Sequence, residues 1–147
     1  MTFGHLDVIE RTAKLFDHVL VAAVTNPAKA APVFSLHQRQ AMLSEVTAHL
    51  PNVEIDAFEG LLVDFALARG VDAFVKGLRA VSDFDVELQM AQMNERMSGI
   101  ATVFFPTAPE HSFLSSSLVR EGARFGGDVS SMVPAPIAQR LKERFNL

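Results

Sequence analysis

Hydrophobic positions along this chain follow two alternating rhythms. Leu6, Ile9, Ala13 and Phe16 recur at helical spacing and predict a helix over residues 6–16. The next run, His18-Val19-Leu20-Val21-Ala22-Ala23-Val24, is apolar almost throughout, as a strand covered on both faces must be. Residues 25–34 read as a loop, punctuated by Asn26-Pro27 and Pro32. Ser35 and Gln38 form a capping box that opens a helix running to Leu50, with the stripe Leu36, Leu43, Val46 and Leu50. Val53, Ile55 and Ala57 then alternate along a strand over 52–58, and a short helix over 61–69 ends at Gly70, a residue suited to a left-handed cap. A third strand at 72–75 delivers Lys76-Gly77-Leu78-Arg79 at its carboxyl end. A long helix over 83–97 follows, and a fourth strand at 102–105 is stopped by Pro106. Residues 115–125 are helical and close on Gly126-Gly127. The last helix starts near Pro134 and Pro136 and carries Ile137, Leu141 and Phe145.

This strict alternation predicts an α/β fold: a Rossmann-like, doubly wound parallel sheet with right-handed crossovers and helices on both faces, in a single domain over residues 1–147. Ligands of such sheets bind outside the carboxyl ends of the strands, near the switch point of strand order, which is where the polar clusters of this chain fall. The alternation begins with a helix, however. The strand that usually starts such a sheet is missing, so either the strand order differs or a central place is empty.

Composition narrows the classes of partner. The chain has no Cys, which excludes disulfides and thiolate metal sites. The longest apolar run, Val19–Val24, is far too short to span a bilayer, and no signal peptide is visible. A net charge of −4 argues against non-specific nucleic-acid binding but leaves room for a small basic pocket holding a phosphorylated ligand. The expectation is a cytoplasmic protein with neither membrane nor nucleic-acid partners.

Candidate chemistry concentrates in a few clusters. Thr2-Phe3-Gly4-His5 places a capping residue, a glycine and a histidine at a helix start, where free N–H groups favour an anion. Alone, His5 would pass for a solvated histidine and Lys29 for plain surface. Lys76-Gly77-Leu78-Arg79 sets two cations around a glycine just after a strand, where a phosphate-holding turn belongs. His111-Ser112-Phe113-Leu114-Ser115-Ser116-Ser117-Leu118-Val119-Arg120 is a hydroxyl-rich helix start, without the Gly-Lys-Ser/Thr of a Walker loop. No cluster has metal-ligand spacing and no nucleophile is paired with a base. Val86, Met90, Met93 and Met97 form a second apolar stripe beside Phe84, Leu88 and Ala91, and one helix with two apolar faces is expected to contact another subunit.

Together the clusters resemble a known family. Thr2-x-Gly4-His5 is similar to the T/H-x-G-H signature of the nucleotidyltransferase superfamily, and Ser115-Ser116-Ser117-Leu118-Val119-Arg120 to its ISSSxVR/K signature. The run from Lys76 to Asn94, KGLRAVSDFDVELQMAQMN, closely resembles bacterial phosphopantetheine adenylyltransferase, and the likeness extends over the whole chain. The resemblance implies transfer of the adenylyl group of ATP to 4′-phosphopantetheine, giving dephospho-CoA and pyrophosphate, with Mg²⁺ and no covalent enzyme intermediate. It implies that His5 stabilises the transition state, with Lys29 and Arg79 as further catalytic residues. It assigns ATP to His5, Gly77, Leu78, Arg79, Glu87, His111, Ser112, Phe113, Leu114, Ser115, Ser116 and Ser117. It assigns phosphopantetheine to Lys29, Leu62 and Lys76, no metal ligand to the protein, and a homohexamer to the assembly. Lys76 stands where many members carry Arg, which keeps the charge and loses the bidentate fork. The family pattern also begins with an apolar strand running into Gly-Ser/Thr-Phe-Asp-Pro ahead of TxGH. The expectation is therefore that Met1 occupies an internal position, with that strand and loop missing and the remaining chain poorly stable. The alternatives are another small nucleotidyltransferase, acting on nicotinamide mononucleotide or glycerol phosphate, and a non-catalytic nucleotide-binding subunit.

Overall fold

The computed structural model describes residues 1–25 and 32–146. In order they form α1 (Phe3–Ala13), β1 (Val19–Val24), α2 (Leu36–Thr47), β2 (Val53–Phe58), α3 (Leu62–Ala68), β3 (Ala73–Leu78), α4 (Val81–Ser98), β4 (Ala101–Pro106), a 3₁₀ turn (Pro109–His111), α5 (Ser116–Arg124) and α6 (Ala135–Phe145). The alternation read from the hydrophobic pattern is thus present, and the strands are parallel.

Several boundaries follow local chemistry. Ser35 caps α2 by accepting from the Gln38 N–H at 3.2 Å, while Gln38 accepts from the Ser35 N–H at 2.9 Å. Gly99 ends α4 in the left-handed conformation at φ 75°, and its N–H donates to Glu95 O. One expected boundary shifts. Strand β3 does not stop at Val75; Lys76, Gly77 and Leu78 continue it, opposite Phe104, Phe105 and Pro106 of β4. Pairing with β4 holds these polar and small residues extended, so of the four-residue turn expected here only Arg79 leaves the strand. Pro106 is the last residue of β4, and the Thr107 N–H closes the pair on Leu78 O at 2.8 Å.

The strands form two separate sheets, β1–β2 and β3–β4, and no ladder joins them among the described residues. Helix α1 packs against both β1 and β3 and holds the halves in register. At its C-terminal end the Asn52 side-chain amide donates to Ala13 O at 2.8 Å and Phe16 O at 2.9 Å, tying the helix to the start of β2. On the other sheet, Arg11 donates to Pro106 O at 2.7 Å, and Asp7 accepts from the Ala108 N–H at 3.3 Å. The core is divided as well. One cluster joins Met42 and Val46 of α2 to Val119 and Ala123 of α5 and Ile137, Ala138 and Leu141 of α6, with Leu6 against it. The other gathers Val63, Ala66, Phe74 and Ile100.

Helix α1 comes close to β3 at Gly77, where an added Cβ would lie 2.7 Å from Val8 Cγ2. Valine is stiff at χ1 and cannot yield cheaply. Gly77→Ala is expected to lower stability by about 1–3 kcal/mol, with Val8→Ala recovering part of the loss in the double variant. Chemical denaturation of the four-member cycle measures this; a Gly77→Ala variant as stable as the parent would contradict the packing described.

Candidate active site

The site is assembled at the carboxyl ends of β3 and β4, where the starts of α1 and α5 converge. Thr2 is the N-cap of α1 and is 2% exposed, and the Phe3 N–H is tied to Met132 O at 3.0 Å. This fixes the entry of the helix and sets His5 at its third position. His5 as a residue is exposed, while protein crowds its Nδ1 edge: Nδ1 lies 2.8 Å from Thr2 Oγ1 and 3.3 Å from the Thr2 backbone nitrogen. The loop after β4 passes beside Gly4 at ordinary packing distance: an added Cβ would meet His111 Cβ, His111 O and Thr107 Cγ2, each at 3.6 Å. The rings of Phe3 and His111 stack at 6.0 Å.

Arg79 links the other elements. Its Nε and Nη2 donate to the Asp83 carboxylate at 3.0 and 3.2 Å, and its Nη1 donates to Leu114 O at 2.9 Å. One guanidinium therefore ties the end of β3, the first turn of α4 and the approach to α5. The arginine also holds the Asp83 carboxyl below the usual carboxylate range. Lys76 and Glu87 face each other from β3 and α4 at 3.4 Å, an ion pair in which Glu87 Oε2 is shielded and accepts no hydrogen bond. At the start of α5, Ser115 caps the helix by accepting from the Leu118 N–H at 3.4 Å, and Ser116 and Ser117 are exposed beside it. Ser112 donates to Pro109 O at 2.9 Å, Leu114 is buried, and Phe113 is 64% exposed.

Of the candidate residues, His5, Gly77, Leu78, Arg79 and the segment His111–Ser117 lie on the elements that meet here, and Lys76 and Glu87 stand on the adjoining face of β3 and α4. Leu62 does not join them. It opens α3 and packs on the Val63–Phe74 core cluster, on the same β3–β4 half but among apolar side chains. Lys29 lies outside the described residues. Three residues complete the arrangement without carrying a signature of their own. Asp83 braces Arg79, and the only trace of this in the sequence is a four-residue spacing of opposite charges. Asp7 and Arg11 join α1 to the end of β4, across a separation in sequence that no local pattern reveals.

The electrostatics favour a phosphorylated ligand. His5 is lowered from its ordinary 6.5 to about 4, first by the crowding of protein around it and then by the nearby amino terminus and Arg79, so it is neutral at pH 7. A neutral imidazole whose Nδ1 is occupied can offer a hydrogen bond from its other nitrogen. Beside it stand a fixed guanidinium and the free N–H groups of a capped helix start.

Comparison with known proteins finds relatives over the whole chain. The family model described as cytidylyltransferase-like matches residues 1–122. The chain is 55% identical to the phosphopantetheine adenylyltransferase of Synechococcus sp. strain JA-2-3B'a(2-13), over all of this chain and 92% of that protein. It is 53% identical, over the same shares, to the phosphopantetheine adenylyltransferase of Synechococcus sp. strain JA-3-3Ab.

Because the folded-state pKa of His5 lies below its unfolded value, the unfolded chain takes up this proton first as pH drops. Stability is expected to fall between about 6.5 and about 4 on this account, and not to fall further from this group below that range. A pH titration of the His5 ring followed by NMR should give a midpoint near 4. A midpoint at 6.5 would contradict the environment described.

Proposed function

The chain belongs to the cytidylyltransferase-like family and within it to the phosphopantetheine adenylyltransferases, and on that premise we propose that it joins the adenylyl group of ATP to 4′-phosphopantetheine. The products are dephospho-CoA, the precursor of CoA, and pyrophosphate. The observation that carries this reading is the meeting of the α1 start, the end of β3 and the α5 start around His5 and Arg79.

In this reading an oxygen of the pantetheine phosphate attacks the α-phosphorus of ATP in line with the departing pyrophosphate. A phosphoanhydride P–O bond forms as the bond to the β-phosphate oxygen breaks, and both electrons of that bond leave with pyrophosphate. Negative charge grows on the equatorial oxygens of the α-phosphate, and His5 meets it with an N–H donor that was neutral from the start. Arg79, with Gly77, Leu78 and Glu87, holds the nucleotide, as do the capped α5 start and His111–Ser117. Lys76 serves the pantetheine side, to which the family resemblance also assigns Leu62 and, for both phosphates, Lys29. No covalent intermediate is needed, because positioning and charge stabilisation supply the catalysis.

Mg²⁺ fits this donor set as a companion of the triphosphate. Among the described residues no group of three or more His, Asp or Glu side chains is placed to hold a metal. Magnesium accepts such surroundings, because it keeps several waters and binds through substrate phosphates. When bound it neutralises phosphate charge. The reaction belongs to the cytoplasm, and no helix among the described residues is long and apolar enough to cross a membrane.

The fold reading extends to one domain over 1–147 whose sheet is completed by one more parallel strand beside β1 and β3. The second edges of those strands, unpaired among the described residues, and the packing of α1 against both support it. The assembly is a homohexamer. Its support is the exposed face of α4, where Val86, Met90, Met93 and Met97 are 40–62% exposed. Sedimentation of the purified protein as a monomer would contradict this.

The activity is tested by pyrophosphate release from ATP with three acceptors: 4′-phosphopantetheine, nicotinamide mononucleotide and glycerol phosphate. Turnover is expected with the first alone, and His5→Ala should lower kcat by about 10²–10³ with little change in KM. Preference for another acceptor would overturn the substrate assignment. Calorimetric binding of ATP without turnover would make the chain a non-catalytic subunit.

A further inference from the structure

A buried hydroxyl in a folded protein has a partner, and the partner of Thr2 is the one residue on which the proposed chemistry turns. Thr2 is 2% exposed, and its hydroxyl lies 2.8 Å from His5 Nδ1. Its backbone N–H, which can only donate, points to the same nitrogen at 3.3 Å. A nitrogen facing an obligatory donor is an acceptor, so the ring proton belongs on Nε2. The arrangement is a capping box in which histidine occupies the third helical position, where Glu or Gln ordinarily reaches back to the cap. The contacts that start α1 therefore also select the tautomer of its histidine.

We propose that Thr2 is a positioning residue for adenylyl transfer, holding His5 as the Nε2–H tautomer with that N–H directed at the reacting phosphate. The proposal rests on the functional reading above. Nδ1 is occupied from the helix side, while His5 as a residue is exposed, and Nε2 has no hydrogen-bond partner among the described residues. The charged groups facing the ring are Arg79, from the end of β3, and the amino terminus. Both oppose a second proton on the ring, although burial and then Arg39 lower the amino terminus itself from its ordinary value. A donor that neither flips tautomer nor takes up a second proton needs no reorganisation when charge develops on the phosphate.

The test compares the full chain with Thr2→Val, which keeps the shape and removes the hydroxyl, and Thr2→Ser, which keeps the hydroxyl. Long-range ¹H–¹⁵N correlation at pH 7 reads the His5 tautomer without any turnover, and steady-state kinetics separate kcat from KM. The wild type should show a single Nε2–H tautomer. Thr2→Val keeps the 3.3 Å backbone contact and loses the 2.8 Å hydroxyl contact, so the Nε2–H tautomer should remain the major form but no longer the single one, on a ring freer to turn. Its kcat should fall about 10-fold, with KM for ATP changed less than about threefold. Thr2→Ser should recover the single tautomer and most of kcat. A wild-type proton on Nδ1, an unchanged kcat in Thr2→Val, or equal loss in the two variants would each overturn the proposal, the last by showing that the hydroxyl kept in Thr2→Ser is not what the site requires. Should Thr2→Val not fold, the wild-type and Thr2→Ser spectra still decide the matter. If the wild type turns over none of the acceptors, the adenylyl-transfer reading fails, while the spectra report on Thr2 and His5 separately.

Discussion

Helix α1 is asked to satisfy three constraints at once, and the rest of the structure follows from how it meets them. Its middle must lie flat on β3, which only the absence of a side chain at Gly77 permits against Val8. Its end must stay on β1–β2, which the Asn52 amide secures by satisfying two carbonyls left over where the helix stops. Its start must face the ends of β3 and β4, which Asp7 and Arg11 arrange through backbone groups at Pro106 and Ala108. With no ladder between the two sheets among the described residues, these contacts carry the alignment that a continuous sheet would otherwise supply.

The site is a consequence of that placement. A helix start offers unpaired N–H groups, and a histidine within the first turn shares their field. The protein packed around the ring, then the amino terminus and Arg79, disfavour an imidazolium, so in the proposed reaction His5 is a neutral donor while arginine supplies the permanent charge. The division is physically sensible. Guanidinium can be fixed by a carboxylate, as Asp83 fixes Arg79, without losing its charge, whereas a paired imidazolium would be drawn into an ion pair of its own.

Much of this is legible in the sequence where the signal is local. The Ser35–Gln38 box, the apolar run of β1 and the order of elements follow from spacing and capping alone. The end of β3 does not, because Lys76, Gly77 and Leu78 look like turn residues until β4 pairs with them. The cap at Thr2 is half legible. Threonine is a familiar N-cap, but histidine at the third position is not the residue a capping box calls for, so its engagement with Thr2 emerges only in three dimensions. Contacts across long separations, such as Arg11 with Pro106 or Arg79 with Leu114, have no local trace. The signatures around His5 and Ser115 are readable through family resemblance, and the structure adds what lies between them: a single arginine that donates to Leu114 O, next to Ser115, and disfavours a charged His5.

The central claim is that this constellation transfers the adenylyl group directly, with donors arrayed around the α-phosphate and no enzyme nucleophile. The configuration at that phosphorus tests it most directly. With ATP made chiral at the α-phosphorus by sulfur substitution, and 4′-phosphopantetheine as acceptor, a single in-line displacement predicts dephospho-CoA of inverted configuration. Retention of configuration would require two displacements and a covalent adenylyl-enzyme, and would contradict the account.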